Sequence, residues 1–216
     1  MNTRRNLLLG MGGAAALGWL AWNRLAPQPG PGRTTRAAGA PWPNTRLLTH
    51  DGREVRFYDD LIRNKVVAIN MMYVMCGRIC PAMTANLRQV QKMLGERAGR
   101  DVFLYSITLQ PELDTPQILK EYAERNHVGP GWLFLTGEPA DIEELRYSLG
   151  FYDRDPLLDG NKATHTGMVR IGNDAYQRWT MAPALSDPAH ILAAVNHVDR
   201  TMVHSATMAA PGHLYS

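Results

Sequence analysis

The sequence predicts an α/β domain in which helices flank a mixed β-sheet. Continuous apolar runs, typical of strands buried on both faces, alternate with segments of helical periodicity. Late in the chain, two predicted strands follow each other with only a turn between them. After an initial hairpin, the order β-α-β-α-β-α-β-β-α therefore implies a mixed sheet covered by helices. The hydrophobic content of 45% supports one full core.

The first half of the domain is predicted to begin with a hairpin over residues 47–57, with Asp51-Gly52 as its turn. The apolar stretch from Lys65 to Tyr73 predicts a buried strand. A helix follows from Pro81 to about Leu94, because proline is tolerated in a first turn, where its missing N–H costs nothing. The inner face of this helix carries three apolar residues: Leu87, Val90 and Leu94.

The second half continues the alternation of strands and helices. One helix is predicted to start at Asp114-Thr115-Pro116 and the final one at Asp187-Pro188. Residues 150–162 are predicted to form a loop. The final helix has a single apolar stripe. The predicted strands are 102–108, 132–135, 166–171 and 176–180, with a turn at 172–174 between the last two, and a third helix covers 139–149.

The only two cysteines of the 216 residues, Cys76 and Cys80, directly follow the first buried strand. A cysteine pair between an interior strand and a helix, in this order of elements, predicts a thioredoxin-like fold. On a helix, their spacing would place them on one face, about one turn apart. The positive end of the helix and Arg78 between the cysteines favour the thiolate form, which attacks disulfides and binds metals.

Three interpretations of this cysteine pair are open. A structural disulfide would close so short a loop that it would stabilise the fold comparatively little. A dithiol redox site would use one cysteine to attack and the other to resolve. A soft-metal site would need a further ligand from elsewhere. Two cysteines are too few for a disulfide scaffold, a cysteine-only iron–sulfur cluster or a four-cysteine zinc site.

The first 40 residues are predicted to be a leader. Arg4-Arg5 precede an uncharged stretch, residues 7–22, and this pattern resembles a Tat export signal. Ala38-Gly39-Ala40 fits a cleavage site, and an uncleaved membrane anchor is the alternative. Both place the domain outside the cytoplasm, in the periplasm. We divide the chain into 1–40 (signal or anchor plus Pro/Gly linker), 41–200 (thioredoxin-like domain) and 201–216 (tail).

The formal charge of +3 comes from the leader, since residues 1–40 hold five arginines and no acid. The other 18 basic residues face 20 acidic ones, which leaves a charge of −2. We therefore expect no nucleic-acid partner. The sequence also lacks a Gly-rich phosphate loop and an H-E-x-x-H motif, which argues against nucleotide and zinc-protease chemistry.

Residues 73–87, YVMCGRICPAMTANL, resemble the Cys-x-x-x-Cys-Pro segment of the SCO/SenC proteins. The resemblance continues through 106–123, 134–137 and 164–166, in the same order, and spans about Asn44 to Val198. Members of that family are thioredoxin-like copper-binding proteins that assist assembly of the copper site of respiratory oxidases. The resemblance therefore implies a copper metallochaperone.

This resemblance also implies a ligand set, because the family takes its third ligand from a His in a late loop. Cys76, Cys80 and His165 would bind copper, as Cu(I) or Cu(II). The acceptor would be a copper enzyme such as a cytochrome oxidase subunit, and a thiol reductant would keep the pair reduced. Gly77-Arg78-Ile79 carries a base and no acid, and Thr164 stands where the family has Asp. These departures keep open the alternative of a thiol–disulfide oxidoreductase that reduces the acceptor's cysteines.

Methionines accompany the predicted site at two places. Met71, Met72 and Met75 precede Cys76, and because strand methionines are normally packed we expect mainly core filling rather than a copper relay. The tail mixes His and Met between Met202 and His213. We interpret it as a disordered end rather than an accessory copper-binding tail.

Overall fold

The computed structural model describes residues 42–77, 79–161 and 167–199, built around a seven-stranded sheet. The strands are β1 (Arg46–Thr49), β2 (Glu54–Arg56), β3 (Val66–Met72), β4 (Val102–Thr108), β5 (Trp132–Gly137), β6 (Met168–Asn173) and β7 (Arg178–Pro183). Their order across the sheet is β2-β1-β5-β4-β3-β6-β7. The three central strands β3, β4 and β5 are parallel, whereas β1, β2, β6 and β7 pair antiparallel. The predicted mixed α/β class is confirmed.

Helices cover both faces of this sheet. They are α1 (Cys80–Leu94), α2 (Pro116–Arg125), α3 (Pro139–Ser148), α4 (Pro156–Asp159) and α5 (Pro188–Val198), with a π-helical segment at Phe57–Ile62 and a 3-10 turn at Gly95–Arg97. Apolar residues of α1, α2 and α5 share one core with one face of the sheet. Those of α3 and the π-helical segment form a second core on the opposite face.

Strand β3 lies between these two cores, which explains its largely apolar sequence. All seven of its residues are buried. Ala68 and Met72 belong to the core under α1, whereas Ile69 and Met71 belong to the opposite core. Alternate residues of a strand point to opposite faces, so a strand covered on both sides is apolar at nearly every position. The polar exception in β3, Asn70, is buried and accepts a hydrogen bond from Ser106 Oγ at 2.7 Å.

The helix starts follow from their capping residues. Thr115 Oγ1 accepts a hydrogen bond from the backbone N–H of Ile118 at 3.4 Å. Asp187 Oδ1 accepts one from Ala189 at 2.8 Å, ahead of Pro188. Each cap pairs a backbone donor that the helix cannot satisfy. Both predicted helix starts are confirmed.

The turn between β6 and β7 lies further along the chain than predicted. Strand β6 continues through Gly172 and Asn173, and the turn occupies residues 174–177. Gly172 pairs with Trp179 across the hairpin, and a Cβ atom at Gly172 would lie 2.0 Å from the Trp179 ring. The glycine thus marks a close approach inside the hairpin rather than its turn.

The predicted loop 150–162 contains the short helix α4. Asp155 caps it, since Asp155 Oδ1 accepts a hydrogen bond from the backbone N–H of Leu157 at 2.9 Å. At the end of α4, Asp159 forms an ion pair with Arg146 of α3 at 2.5 Å. A helix of four residues lacks the periodicity that sequence reasoning needs, and this one is held by a distant residue.

The predicted leader and linker (1–40) and the tail (201–216) lie outside the residues that the structure describes. Within the described ranges, no helix combines the length and the apolar character that a membrane crossing requires.

Candidate metal centre

The cysteine pair lies between the carboxyl end of β3 and the start of α1. Cys76 occupies a turn after the strand, and its backbone N–H donates to the Tyr73 carbonyl at 3.2 Å. Cys80 is the first residue of α1, with Pro81 next. The predicted position of the pair, between the strand and the helix, is confirmed, and Cys76 lies before the helix rather than on one helical face with Cys80. That turn still brings the two side chains into hydrogen-bonding contact.

Both cysteines are thiols rather than a disulfide and both are buried, with exposed fractions of 5% for Cys76 and 0% for Cys80. The pKa of Cys80 is raised from its ordinary value of 9.0 to about 12, chiefly by burial and also by the hydrogen bond with Cys76. A hydrogen bond with the Tyr73 backbone acts in the opposite direction. The expectation that the helix start favours a Cys80 thiolate is wrong, because burial penalises the thiolate and the pKa of Cys80 is raised.

A buried carboxyl group, Asp114, fixes the turn that carries Cys76. Asp114 is 1% exposed, and its Oδ2 accepts hydrogen bonds from Val74 N at 3.1 Å and from Thr108 Oγ1 at 2.5 Å. The Asp114 charge also contributes to the raised pKa of Cys80. The sequence identifies Asp114 only as part of a helix start. Its role as a buried anchor is visible only in the structure, where Asp114 contacts Val74 and Thr108.

His165, the predicted third ligand, lies outside the described residues, as do Arg78 and Thr164. The chain becomes described again at Gly167, whose carbonyl accepts a hydrogen bond from Ala184 N at 2.7 Å. A Cβ atom at Gly167 would lie 3.4 Å from Ile79 Cδ1 and 3.8 Å from Met83 Sδ. Gly167, at the end of the late loop, therefore lies beside the start of α1, near Ile79 and Met83.

The methionines before Cys76 do not behave alike. Met71 and Met72 are buried at 1% and 0% exposure and fill the two cores, as predicted. Met75 is 76% exposed. Met75 departs from the expected core filling, because β3 ends at Met72 and the chain turns.

These features define a thioredoxin-like domain with two adjacent thiols at the strand-to-helix turn. Two thiols in contact can form a disulfide, or can bind a soft metal ion once deprotonated. Within residues 42–77, 79–161 and 167–199, no group of three His, Cys, Asp or Glu side chains is arranged to hold a metal ion. Inside those ranges, the side-chain atoms that this site provides for binding a metal are the sulfurs of Cys76 and Cys80.

The chain belongs to the SCO1/SenC family, whose family model matches residues 35–200. The mitochondrial protein SCO1 homolog 1 of Arabidopsis thaliana is 29% identical over 144 residues, which cover 63% of this chain and 41% of that protein. The SCO1 protein homolog of Bacillus subtilis (strain 168) is 33% identical over 97 residues, covering 44% of this chain and 49% of the relative. The match thus spans less than half the length of either relative.

Solved structures share the fold. The crystal structure of Arabidopsis thaliana ScoI with copper bound has a TM-score of 0.60 at 22% identity, covering 75% of this chain and 99% of that one. BsSco, described as a member of the Sco family of cytochrome c oxidase assembly proteins with a disulfide switch, has a TM-score of 0.59 at 24% identity, covering 72% and 91%. The predicted thioredoxin-like fold and family membership are both confirmed.

Proposed function

We propose that this protein is a copper-binding metallochaperone that assists assembly of a respiratory copper site. The observation that carries the proposal is the hydrogen-bonding contact between two buried thiols after β3, in a chain of the SCO1/SenC family. Thiolates select soft ions such as Cu(I). Copper is the cargo here, and the acceptor is a copper enzyme such as a cytochrome oxidase subunit. The copper-bound ScoI structure and a relative from Stutzerimonas stutzeri named a putative copper-binding protein support this assignment.

Cys76, Cys80 and His165 are the proposed ligands. Covalent geometry supports the third, because two residues span at most about 7 Å of chain and Gly167 runs beside the first turn of α1. Two thiolates and one imidazole form a donor set suited to Cu(I), and a further ligand would accommodate Cu(II). Oxidation of the pair to a disulfide removes both thiolates, so loading requires a thiol reductant. The cysteine pair would thus gate copper binding by its redox state.

Copper titration of the reduced full-length chain tests this function. We expect one copper per chain in wild type. Changes to outer-shell partners alone cost about 10–100-fold in metal affinity, so Cys76→Ser, Cys80→Ser and His165→Ala should each cost more than about 100-fold. His127→Ala is the matched control, since His127 is exposed and follows α2. Absorption and electron paramagnetic resonance spectra would give the oxidation state of the bound copper.

The outcomes of this titration separate the ligand set from the function. Copper binding that His165→Ala leaves unchanged would remove His165 from the ligand set. Failure of reduced wild type to bind copper at all would refute the metallochaperone.

A thiol–disulfide oxidoreductase is the second candidate, favoured by the difference in burial between Cys76, which is 5% exposed, and Cys80, which is 0% exposed. The Cys76 thiolate would attack an acceptor disulfide and release one acceptor thiol. Cys80, losing its proton, would then attack the Cys76 sulfur and release the second thiol. The products are a Cys76–Cys80 disulfide and a reduced acceptor. Reduction of an acceptor disulfide that persists in His165→Ala and stops in Cys76→Ser would favour this candidate over copper transfer.

We further propose that the domain works in the periplasm after export by the leader, or held by it at the inner membrane. Relatives support an exported protein, since one solved structure is a SCO1/SenC family lipoprotein from Bacillus anthracis. Mass spectrometry of the protein isolated from cells distinguishes the two forms. A mature start at Pro41 indicates cleavage after Ala38-Gly39-Ala40, and an intact N-terminus in the membrane fraction indicates an anchor. Full-length protein in the cytoplasm would contradict both.

A further inference from the structure

A cationic side chain lies against two indole rings on the face of the sheet opposite α1. The Arg170 guanidinium carbon is 5.5 Å from the ring centre of Trp42 and 5.9 Å from that of Trp179. The two rings meet edge to face, with centres 4.7 Å apart. We call these three residues the Arg170 cluster. It joins the first described residue of the domain to the hairpin formed by β6 and β7.

The Arg170 cluster contains hydrogen-bond donors without acceptors. Trp42 Nε1, Trp179 Nε1 and Arg170 Nε are all enclosed, and none has an acceptor within the described part of the chain. Trp42 is only 6% exposed. The terminal nitrogens of Arg170 are not among these enclosed donors without an acceptor. Burial lowers the pKa of Arg170, and no carboxylate acts against that effect.

No acidic side chain of this chain neutralises Arg170. All 20 Asp and Glu residues fall within the described ranges, because residues 1–41, 78, 162–166 and 200–216 contain none. Within those ranges no acid forms an ion pair with Arg170. Six other arginines do have carboxylate partners: Arg46, Arg53, Arg63, Arg97, Arg100 and Arg146. A partly desolvated cation without an anion is costly, so the Arg170 cluster is suited to receive one.

We propose that the Arg170 cluster binds a phosphate group, either of free phosphate or of a lipid headgroup. A guanidinium presents a planar fork of donors that matches a phosphate bidentately, and several phosphate oxygens can serve several donors. The location favours phosphate over a carboxylate, because Trp42 lies two residues after the predicted leader. Indole rings and arginines suit the boundary between a bilayer and water, where lipid phosphates lie.

Phosphate titration of the full-length chain tests the site. Ionic strength is held constant with sodium chloride, so that general screening does not change. Binding should alter tryptophan emission saturably and raise the thermal midpoint, since a ligand bound only by the native state stabilises it. Arg170→Met should weaken the apparent affinity at least about tenfold, because it removes a charge-assisted bidentate contact. Arg170→Lys keeps the charge but lacks the planar fork of donors, so its apparent affinity for phosphate should lie between those of wild type and Arg170→Met.

The matched control is Arg46→Met, which removes an exposed, ion-paired arginine from β1 and should bind phosphate like wild type. Thermal melts of the variants without phosphate show whether each is folded. If Arg170→Met does not fold, Arg170→Lys decides the result. Equal responses of wild type and the folded Arg170 variants, or no saturable response in wild type, would overturn the proposal. Acetate that competes as well as phosphate would overturn the phosphate assignment.

Vesicles of phosphatidylglycerol distinguish the two sources of phosphate. The leader is present in every variant, so a difference between wild type and Arg170→Met reports the cluster itself. Weaker vesicle binding by Arg170→Met, together with its loss of phosphate binding, supports a headgroup ligand. Equal vesicle binding alongside lost phosphate binding supports free phosphate as the ligand.

Discussion

The two sulfurs of the cysteine pair are chemically unequal although they are in contact. Cys80 lies within the core at the start of α1, where its thiolate is poorly solvated and its pKa rises to about 12. Cys76 precedes the helix and adjoins the exposed Met75. The more accessible sulfur should therefore react first, whichever partner approaches. Sequence spacing alone could not assign this order, because it depends on burial.

Alkylation should reveal this difference directly. In the reduced protein, iodoacetamide should modify Cys76 well before Cys80, because alkylation requires an accessible thiolate. The rate at Cys80 should rise about tenfold per pH unit through the neutral range, since a thiol with a pKa near 12 is almost fully protonated there. Mass spectrometry of peptides containing one cysteine, from Cys76→Ser and Cys80→Ser, gives both rates. Equal rates at pH 7 would contradict the unequal burial.

Asp114 should be among the most sensitive polar residues of the domain. Asp114→Ala leaves Val74 N and Thr108 Oγ1 without their buried acceptor, and each unsatisfied donor costs about 1–3 kcal/mol. We expect a loss of about 3 kcal/mol in the free energy of unfolding, measured by urea denaturation of the reduced protein.

Thr136→Val provides the matched control for Asp114→Ala. Thr136 is buried, and its hydroxyl has no hydrogen-bond partner within the described residues. Removing that hydroxyl should leave stability unchanged or slightly higher. A larger loss in Thr136→Val than in Asp114→Ala would show that burial, rather than the hydrogen bonds of Asp114, determines the cost.

At the scale of elements, one ion pair fixes helix α4, which lies within the predicted loop 150–162. Arg146 of α3 contacts both carboxylate oxygens of Asp159, at 2.5 and 2.8 Å, and side-chain exposure is only 11% and 10%. Arg146 also pairs with Glu143, which is 54% exposed. The guanidinium and the Tyr147 hydroxyl hold the pKa of Asp159 well below its ordinary value. The same arginine thus has one enclosed partner and one solvated partner.

Asp159→Asn should cost about 3 kcal/mol in unfolding free energy, because it leaves a partly buried guanidinium with a weaker partner. Glu143→Gln should cost less than about 1 kcal/mol, since its ion pair is solvated. Hydrogen exchange should show faster opening of residues 153–160 in Asp159→Asn only. The lowered Asp159 pKa stabilises the fold above pH 3.8, and this contribution should be lost as the pH falls below that value. Similar losses in both variants would contradict this assignment.

Elements whose structure depends on local sequence were predictable. The strand at 65–73 and the helix from Pro81 were found because burial on both faces and proline positions are visible locally. Helix α4 and the true end of β6 were not predicted, because they depend on Arg146 and Trp179, which contact them from other elements. Met75 is exposed because β3 ends at Met72 and the chain turns before Met75.

In the candidate site, too, some features were predictable from the sequence and others only from the structure. Counting cysteines was enough to find Cys76 and Cys80, and the family resemblance extended the prediction to His165. Asp114 was missed as the anchor of the turn, since Thr108, Val74 and Asp114 meet only after β3 and β4 pair. The Cys80 pKa was predicted in the wrong direction, because a helix start is visible in sequence and desolvation is not.

At the scale of the whole molecule, ionisable groups with raised pKa values are buried on both sides of the sheet. Tyr105 of β4 lies in the core under α3, whereas Cys80 and Tyr122 lie in the core under α1. Burial is the first cause of the raised pKa of each. The native state therefore keeps protons that the unfolded chain releases at its ordinary values of 9.0 for Cys and 10.0 for Tyr.

The reduced protein should lose stability as the pH rises above about 9. Between the unfolded and folded pKa values the native state binds more protons, so the free energy of unfolding falls with pH, by up to about 1.4 kcal/mol per pH unit for each group. The contribution is complete below pH 9 and decreases above it. Urea denaturation at closely spaced pH values measures the slope. Tyr105→Phe should flatten the slope above pH 10 while changing stability little at pH 7, and Cys80→Ala should flatten it from pH 9. The wild-type slope in either variant would show that other groups cause the alkaline loss.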